Sequence, residues 1–363
     1  MTGLTSAVFL AKAGYDVTII AAHVPGDSSI EYTSPWAGAH WRTHATPETP
    51  VQCDWDVQTY NYWLDQLERE RGDHKLPRSG IKLLETREYW DGQVKEELWW
   101  APHVRNFRQL STYNEPVRSC NDRALAAGAP TVQFACAYDA MCINVPQYLL
   151  YLQEKARLLG AKVIKARLPV HDGFEAALSA AEDLVLVHGR PQIDCTVNAT
   201  GLGAFKLCSD TAMYPIRGQT VLVKGEADNT CSRVGDGYGG YYIPRPGSGT
   251  TILGGTKQVD NWDEKVDSET TRKILERNSL ILPELRTGDP SVNCGFEVVS
   301  VQCGLRPARK GGPRMEKEIV DGKKVVHAYG HAGGGYQNSI GSARLARKLV
   351  EESLGSGPAI AKL

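Results

Sequence analysis

Nowhere in the 363 residues does an apolar run approach the roughly 20 residues of a membrane-spanning helix, so no span is expected. Charge of one sign is also lacking. The formal net charge is −1, which gives no electrostatic case for nucleic acid or an anionic membrane. The cysteines at 53, 120, 136, 142, 195, 208, 231, 294 and 303 form no CxxC pair, and no His/Cys cluster has zinc spacing. No metal site is therefore expected. Their odd count and the lack of a legible secretory leader favour a reducing or non-secretory compartment. No internal repeat or low-complexity tract is present. What remains is ordinary for a globular protein: 42% hydrophobic and 23% charged residues, with length enough for about two domains.

The pattern along the chain is of the α/β kind. Thr5 to Ala13 predicts a helix that stops at Gly14, and Asp16-Val-Thr-Ile-Ile20 a buried strand. This is the back half of a βαβ unit. The chain begins at Met1-Thr-Gly3, so only Gly3 can belong to the G-x-G-x-x-G turn of a dinucleotide fold, and the strand before that turn is not in the sequence. A second such piece follows: a helix over Pro146–Leu159 ended by Gly160, then strands at Lys162–Lys165, Leu184–Val187 and Thr196–Ala199. The last runs into Thr200-Gly-Leu-Gly203, a turn suited to close approach of a phosphate or ring edge, or else a plain tight turn. Residues 217–300 alternate apolar and polar positions between Gly/Pro turns, which predicts antiparallel strands such as Val221–Lys224 and Thr251–Gly254.

Two C-terminal motifs carry chemistry. Gly304-Leu-Arg-Pro-Ala-Arg-Lys-Gly-Gly312 sets Arg306 in a Gly/Pro-framed turn, where its planar fork matches a carboxylate. His327-Ala-Tyr-Gly-His-Ala-Gly-Gly-Gly-Tyr-Gln-Asn-Ser-Ile-Gly341 is a glycine-rich loop opening a helix over Gln337–Glu352. Unpaired amides there suit the negative edge of a reduced flavin. Tyr241, before Ile243-Pro-Arg-Pro246, can donate to a carboxylate, and Tyr238 lies in a glycine-rich stretch able to open and close.

With these residues in view, the chain resembles the FAD-dependent D-amino-acid oxidases and D-aspartate oxidases over nearly its whole length. The likeness rests on Thr2-Gly-Leu-Thr-Ser-Ala7, Ser34-Pro-Trp-Ala-Gly-Ala-His-Trp41, Asn198-Ala-Thr-Gly-Leu-Gly203, Pro215-Ile-Arg-Gly-Gln219, Tyr-x-Ile-Pro at 241–244, Gly304-Leu-Arg-Pro307 and His327-Ala-Tyr-Gly330, in order. It implies a Rossmann-like FAD-binding domain (residues 1–42, 142–210 and 296–363) interleaved with an α+β substrate domain (43–141 and 211–295) having an antiparallel sheet. It implies that Arg306 clamps the substrate α-carboxylate with help from Tyr241, that Tyr238 is a lid, and that the Gly333 backbone approaches the amine. Gly3, Ala37, Gly38, Ala39, Thr200, Gly201, Gly334, Gly335, Tyr336 and Gln337 would hold FAD.

The implied reaction is hydride transfer from Cα to flavin N5, with oxygen then giving hydrogen peroxide, and a 2-oxo acid and ammonia as products. His44 and Lys257 fall where D-aspartate oxidases carry a histidine and an arginine, so acidic and neutral D-amino acids both stay open. A glycine- or sarcosine-type oxidase or an NAD-linked dehydrogenase fits the Gly-Leu-Arg-Pro and Tyr-x-Ile-Pro pairing less well. Because the first strand and two fingerprint glycines are not in the sequence, weak FAD binding and low stability are expected. The alternative is a flavin-free relative that only binds carboxylates or a partner. Ala361-Lys362-Leu363 fits the relaxed form of the family's peroxisomal address, which makes an import receptor an expected partner. A homodimer is left open.

Overall fold

The computed structural model describes residues 1–73, 78–92 and 98–355. The terminal Ala361-Lys362-Leu363 lies outside them. From the start, helix α1 (Thr2–Lys12) leads to β1 (Thr18–Ala21), and a long extended stretch then reaches α2 (Pro50–Gly72). Next come β2 (Ile81–Trp90), β3 (Arg105–Gln109), α3 (Val117–Ala126), β4 (Phe134–Ile143), α4 (Val145–Leu158) and β5 (Lys162–Lys165). They are followed by α5 (Gly173–Val187), β6 (Thr196–Asn198), α6 (Ala204–Leu207), β7 (Met213–Lys224), β8 (Thr230–Gly235) and β9 (Tyr238–Arg245). The chain continues through β10 (Thr250–Gly254), β11 (Gln258–Val259), α7 (Ser268–Ser279), β12 (Val298–Arg309), β13 (Arg314–Val320), β14 (Lys323–Tyr329) and α8 (Ser339–Leu354).

Three sheets result. β1 and β5 form a parallel pair, and β6 lies parallel to β14, which pairs antiparallel with β13. A nine-stranded sheet runs β11-β7-β10-β9-β8-β2-β4-β3, with β12 on the far side of β7. It is antiparallel except where β2 meets β8. The chain is thus a mixed helix and sheet protein, as the sequence pattern predicts. β12 pairs with β7 along its whole length. It therefore sits in the large sheet, although the sequence reading groups residue 296 onward with the dinucleotide part. That placement carries Arg306 to the junction of the two layers.

One predicted strand is corrected. Leu184–Val187 is the last turn of α5. Ala177, Leu178, Ala181 and Val185 are buried, a helical stripe, while Leu186 and Val187 point outward. The alanines and Glu175 upstream favour helix, and they outweigh the short β-branched end.

The core divides across the large sheet. On one side Trp41, Trp63, Tyr138 and Tyr148 pack between α2, α4 and β4, with Trp63 Nε1 donating to the Tyr148 hydroxyl at 2.9 Å. On the other, Ile274 and Leu275 of α7 pack on Tyr242, Val221 and Leu253. α8 lies so close to α2 that a Cβ on Gly341 would stand 2.4 Å from Trp55 Cα. Only glycine permits that approach.

Candidate active site

Arg306 projects from β12 over Gly218 of β7, whose missing side chain makes room for it. A Cβ there would lie 2.4 Å from both terminal nitrogens of the guanidinium. One of them, Nη1, donates to the Thr256 carbonyl at 3.1 Å, and Thr256 is itself pinned by a bond from the Gln219 amide to its Oγ1 at 2.9 Å. Tyr241 reaches the same corner. Its ring lies on Gly254 and Gly255, and a Cβ on Gly254 would fall within the ring. Gly333 faces them, with the position of its absent Cβ 3.5 Å from the His44 ring and 3.8 Å from Arg306 Cδ. Arg306, Tyr241, Gly333 and His44 therefore surround one recess, and Lys257 follows Thr256 at its edge in the chain.

Electrostatically the recess is positive. The surrounding protein and then the charges of Arg42, Lys257 and Arg306 push His44 down to about 3. The residue is exposed by surface area, which weakens the desolvation. The three cations act in the same direction, so the imidazole is neutral at neutral pH.

Arg42 went unnoticed in the sequence. Its signal is the alternation His40-x-Arg42-x-His44, which in an extended segment puts the three side chains on one face. Gly218 was legible as a glycine in a strand interior, a mark of close approach.

Tyr238 is not brought to this recess. Tyr238 and Tyr241 are an odd number of residues apart on β9, so they leave opposite faces of the sheet. Tyr238 donates to Asp91 and packs under the Arg277 guanidinium, 5.2 Å from ring to charge. Asp91 is held in a buried ion pair with Arg233 at 2.8 Å. A lid role finds no support in that placement.

The remaining predicted residues converge beside the recess. Gly3 packs toward Ala199, where its Cβ would make a 3.4 Å contact, and Gly201 meets Pro307. The Thr200 hydroxyl donates to Asn198 Oδ1 at 2.8 Å. Gly38 lies against Ile243, and the Ala39 carbonyl accepts from the Ile143 amide at 3.0 Å. Ala37 closes the turn begun at Ser34. Tyr336 donates from its hydroxyl to the Ser34 carbonyl at 3.0 Å, Gln337 is buried, and Gly335 faces open space.

Several buried polar atoms here have no partner among the described residues: Ser6 Oγ, Ser339 Oγ, His331 Nε2 and Arg245 Nε. Arg245 lies near Tyr336, and burial lowers its pKa. Orphaned donors, an unpaired guanidinium and glycines that leave space together fit a large polar ligand with acceptor edges, as a flavin is.

Asp56 lies behind the glycine loop, fully buried. Its Oδ1 accepts from Asn338 Nδ2, and its carbonyl accepts from Trp41 Nε1 at 2.9 Å. Burial raises its pKa to about 7, against the lowering effect of the polar side chains of Thr43, Asn338 and Gln337, of which Asn338 alone makes a hydrogen bond to it among the described residues. Among the described residues no group of His, Cys, Asp and Glu could hold a metal, and no helix is long and apolar enough to cross a membrane.

Comparison with known proteins gives the family. The model of the FAD dependent oxidoreductase family matches residues 1–349. A D-amino-acid oxidase of Fusarium vanettenii is 32% identical, over 96% of this chain and 94% of its own length. A D-aspartate oxidase of Homo sapiens is 30% identical, over 97% and 92%. Among solved structures, glycine oxidase from Bacillus cereus superposes with a TM-score of 0.67 over 100% of this chain and 97% of its own, at 18% identity. L-α-glycerophosphate oxidase from Mycoplasma pneumoniae with FAD bound gives 0.66 over 96% and 92%, at 13% identity. Those two likenesses speak for the fold alone. With a family match across nearly the whole chain and full-length relatives of both kinds, this protein belongs to the FAD-dependent oxidoreductases, as a member of the D-amino-acid oxidase and D-aspartate oxidase family.

Proposed function

We propose that the protein catalyses oxidative deamination of D-amino acids. The amino acid, O2 and water would give the 2-oxo acid, ammonia and hydrogen peroxide. The observation that carries this reading is the Arg306 fork, laid on Gly218 and tied at only one nitrogen to Thr256, opposite the Gly333 backbone.

An α-carboxylate takes the open side of that fork, and the Tyr241 hydroxyl donates a further hydrogen bond to it. The substrate amine meets the Gly333 carbonyl. Fixing both ends of the Cα centre leaves one orientation for its hydrogen, and such orientation is the larger part of catalysis in a reaction that needs no acid or base at Cα. The flavin, when bound, supplies the acceptor for that hydrogen and its electron pair. Gly334–Gln337, Ala37–Ala39, Thr200, Gly201 and Gly3 are the residues proposed to hold it. His44 acts as a wall and not as a base, since the neighbouring cations Arg42, Lys257 and Arg306 disfavour a proton on its ring.

His44 and Lys257 are proposed to face the substrate side chain. Peroxisomal import through Ala361-Lys362-Leu363 is also proposed, tested by whether removing those three residues leaves a tagged copy cytosolic.

The test is peroxide release by the FAD-supplemented protein with D-Asp, D-Glu, D-Ala and D-Met, against their L-enantiomers. Peroxide is expected from D-enantiomers only. A protein carrying FAD that releases none from any D-amino acid would sink the oxidase and leave a carboxylate-binding relative.

A further inference from the structure

We propose that Arg42, braced by Glu88 and Tyr138, is the receptor for a side-chain carboxylate, so that the recess selects dicarboxylic D-amino acids. This deepens the oxidase reading and rests on it.

The brace is built across the large sheet. Glu88 stands on β2 and Tyr138 on the neighbouring β4. Glu88 Oε1 accepts from the Tyr138 hydroxyl at 2.6 Å, and Oε2 accepts from Arg42 Nε at 3.2 Å. The Glu88 side chain is 5% exposed, that of Arg42 22%. A purely structural Arg–Glu pair commonly meets fork to fork. Here Glu88 takes only Nε, and no described residue bonds Nη1 or Nη2 of Arg42. Burial works most strongly against the Arg42 charge, but the Glu88 charge and hydrogen bond, with Tyr138 and Tyr241 beside them, together raise the pKa. A charged pair of parallel donors is thereby fixed in direction and left open.

The open fork belongs to the same recess as Arg306. Arg42 stands two residues before His44, on the same face of the extended segment, and His44 lies 3.5 Å from the Gly333 Cβ position that Arg306 Cδ borders at 3.8 Å. Arg42, Lys257 and Arg306 make three formal positive charges, and Glu88 is the carboxylate paired with this group. The balance is a surplus of two. A D-amino acid with a free amine and an apolar side chain brings one negative charge and would seal Arg42 against a methyl group. A dicarboxylic one brings two, and closing the recess over it leaves no cation unpaired. Lys257 shares the surplus, but its ammonium is a point charge on a flexible stem, whereas the Arg42 fork is preset by its brace.

The experiment compares kcat/KM for D-Asp, D-Glu and D-Ala in the FAD-supplemented protein, Arg42→Gln, Lys257→Met, and the double variant Arg42→Gln/Glu88→Gln. The double variant removes the buried carboxylate that the single change would strand. The native protein is expected to prefer D-Asp or D-Glu over D-Ala by more than ~10-fold. Both Arg42 variants should lose about 100-fold on the dicarboxylic substrate, mainly through KM, with D-Ala within about threefold of native. Binding of succinate against butyrate, read as thermal shift, should show the same selective loss without turnover. Arg42 is refuted as receptor if the native protein prefers D-Ala, if the Arg42 variants lose all substrates alike, or if Lys257→Met alone carries the selective loss. If no D-amino acid is oxidised, the oxidase reading has failed. Succinate preference over butyrate then decides the carboxylate site by itself.

Discussion

Replacing Arg306 with leucine is expected to lower kcat/KM for every D-amino acid about a thousandfold. The loss has two parts. A charged, forked hydrogen bond to a carboxylate in a recess closed over substrate is worth roughly 2–5 kcal/mol when one partner is removed. About 4 kcal/mol corresponds to a factor near a thousand. The second part is orientation: without the fork the Cα hydrogen no longer holds one direction, so kcat falls along with the rise in KM. Lysine should recover only part, to a deficit of about 30-fold, because it restores charge without the planar pair of donors. The Thr256 carbonyl, which Arg306 Nη1 now satisfies, stays within reach of that ammonium group. Steady-state peroxide release checks the rates, and an unchanged flavin spectrum shows that the cofactor site has survived. Near-native turnover in the leucine variant would remove Arg306 from the site.

The second large effect concerns stability. Asp56→Asn should stabilise the fold above neutral pH by about 4 kcal/mol. The Asp56 carboxyl is raised from 3.8 to about 7, chiefly by burial, and each unit is worth about 1.36 kcal/mol. The sign follows from linkage. Below the unfolded value both states are protonated and nothing is lost. Between 3.8 and about 7 the unfolded chain sheds the proton while the folded one keeps it, so stability falls as pH rises, and above about 7 the cost is constant. The gain in the asparagine variant should therefore be larger at pH 8 than at pH 5, by roughly 2–3 kcal/mol. Chemical denaturation at the two pH values measures it, and an equal gain at both would refute the assignment to Asp56. Asparagine keeps an oxygen to accept from Asn338, so the tie between α2 and the start of α8 is preserved.

Much of this was legible in the residues, for reasons that can be named. α1 and α4 could be bounded because Gly14 and Gly160 end them with φ of 89° and 92°. The Gly-Leu-Arg-Pro segment and the glycine loop announced their juxtaposition only through resemblance, since they are joined in space by β12 and an isolated bridge from Ala308 to His331. The separation of Tyr238 from Tyr241 follows from spacing alone: positions an odd number apart on a strand face opposite ways. Leu184–Val187 was read by its β-branched residues, when the spacing of Ala177, Ala181 and Val185 already had a helical period. The Arg42 brace was not legible. Glu88 is distant in sequence and Tyr138 more so, and their meeting depends on the register of β2 with β4, which local pattern does not fix. Asp56 was hidden for the same reason, because an acid on a charged helix gives no sign of being the one that turns inward.

The division into one large sheet and two small ones has a consequence for how the molecule breathes. β1 and β5 share no described pairing with β6, β14 and β13, and every residue of β1 is only half-buried. The strip β7–β12, by contrast, is buried through most of its length on the β7 side. Amide hydrogens of β1 and β5 should then exchange through a local opening that leaves β7, β12 and Arg306 in place. α1, which carries Gly3, runs directly into β1, so a ligand held at Gly3 would shift that opening by mass action. Protection of β1 and β5 is on this view a gauge of occupancy, readable before any turnover begins.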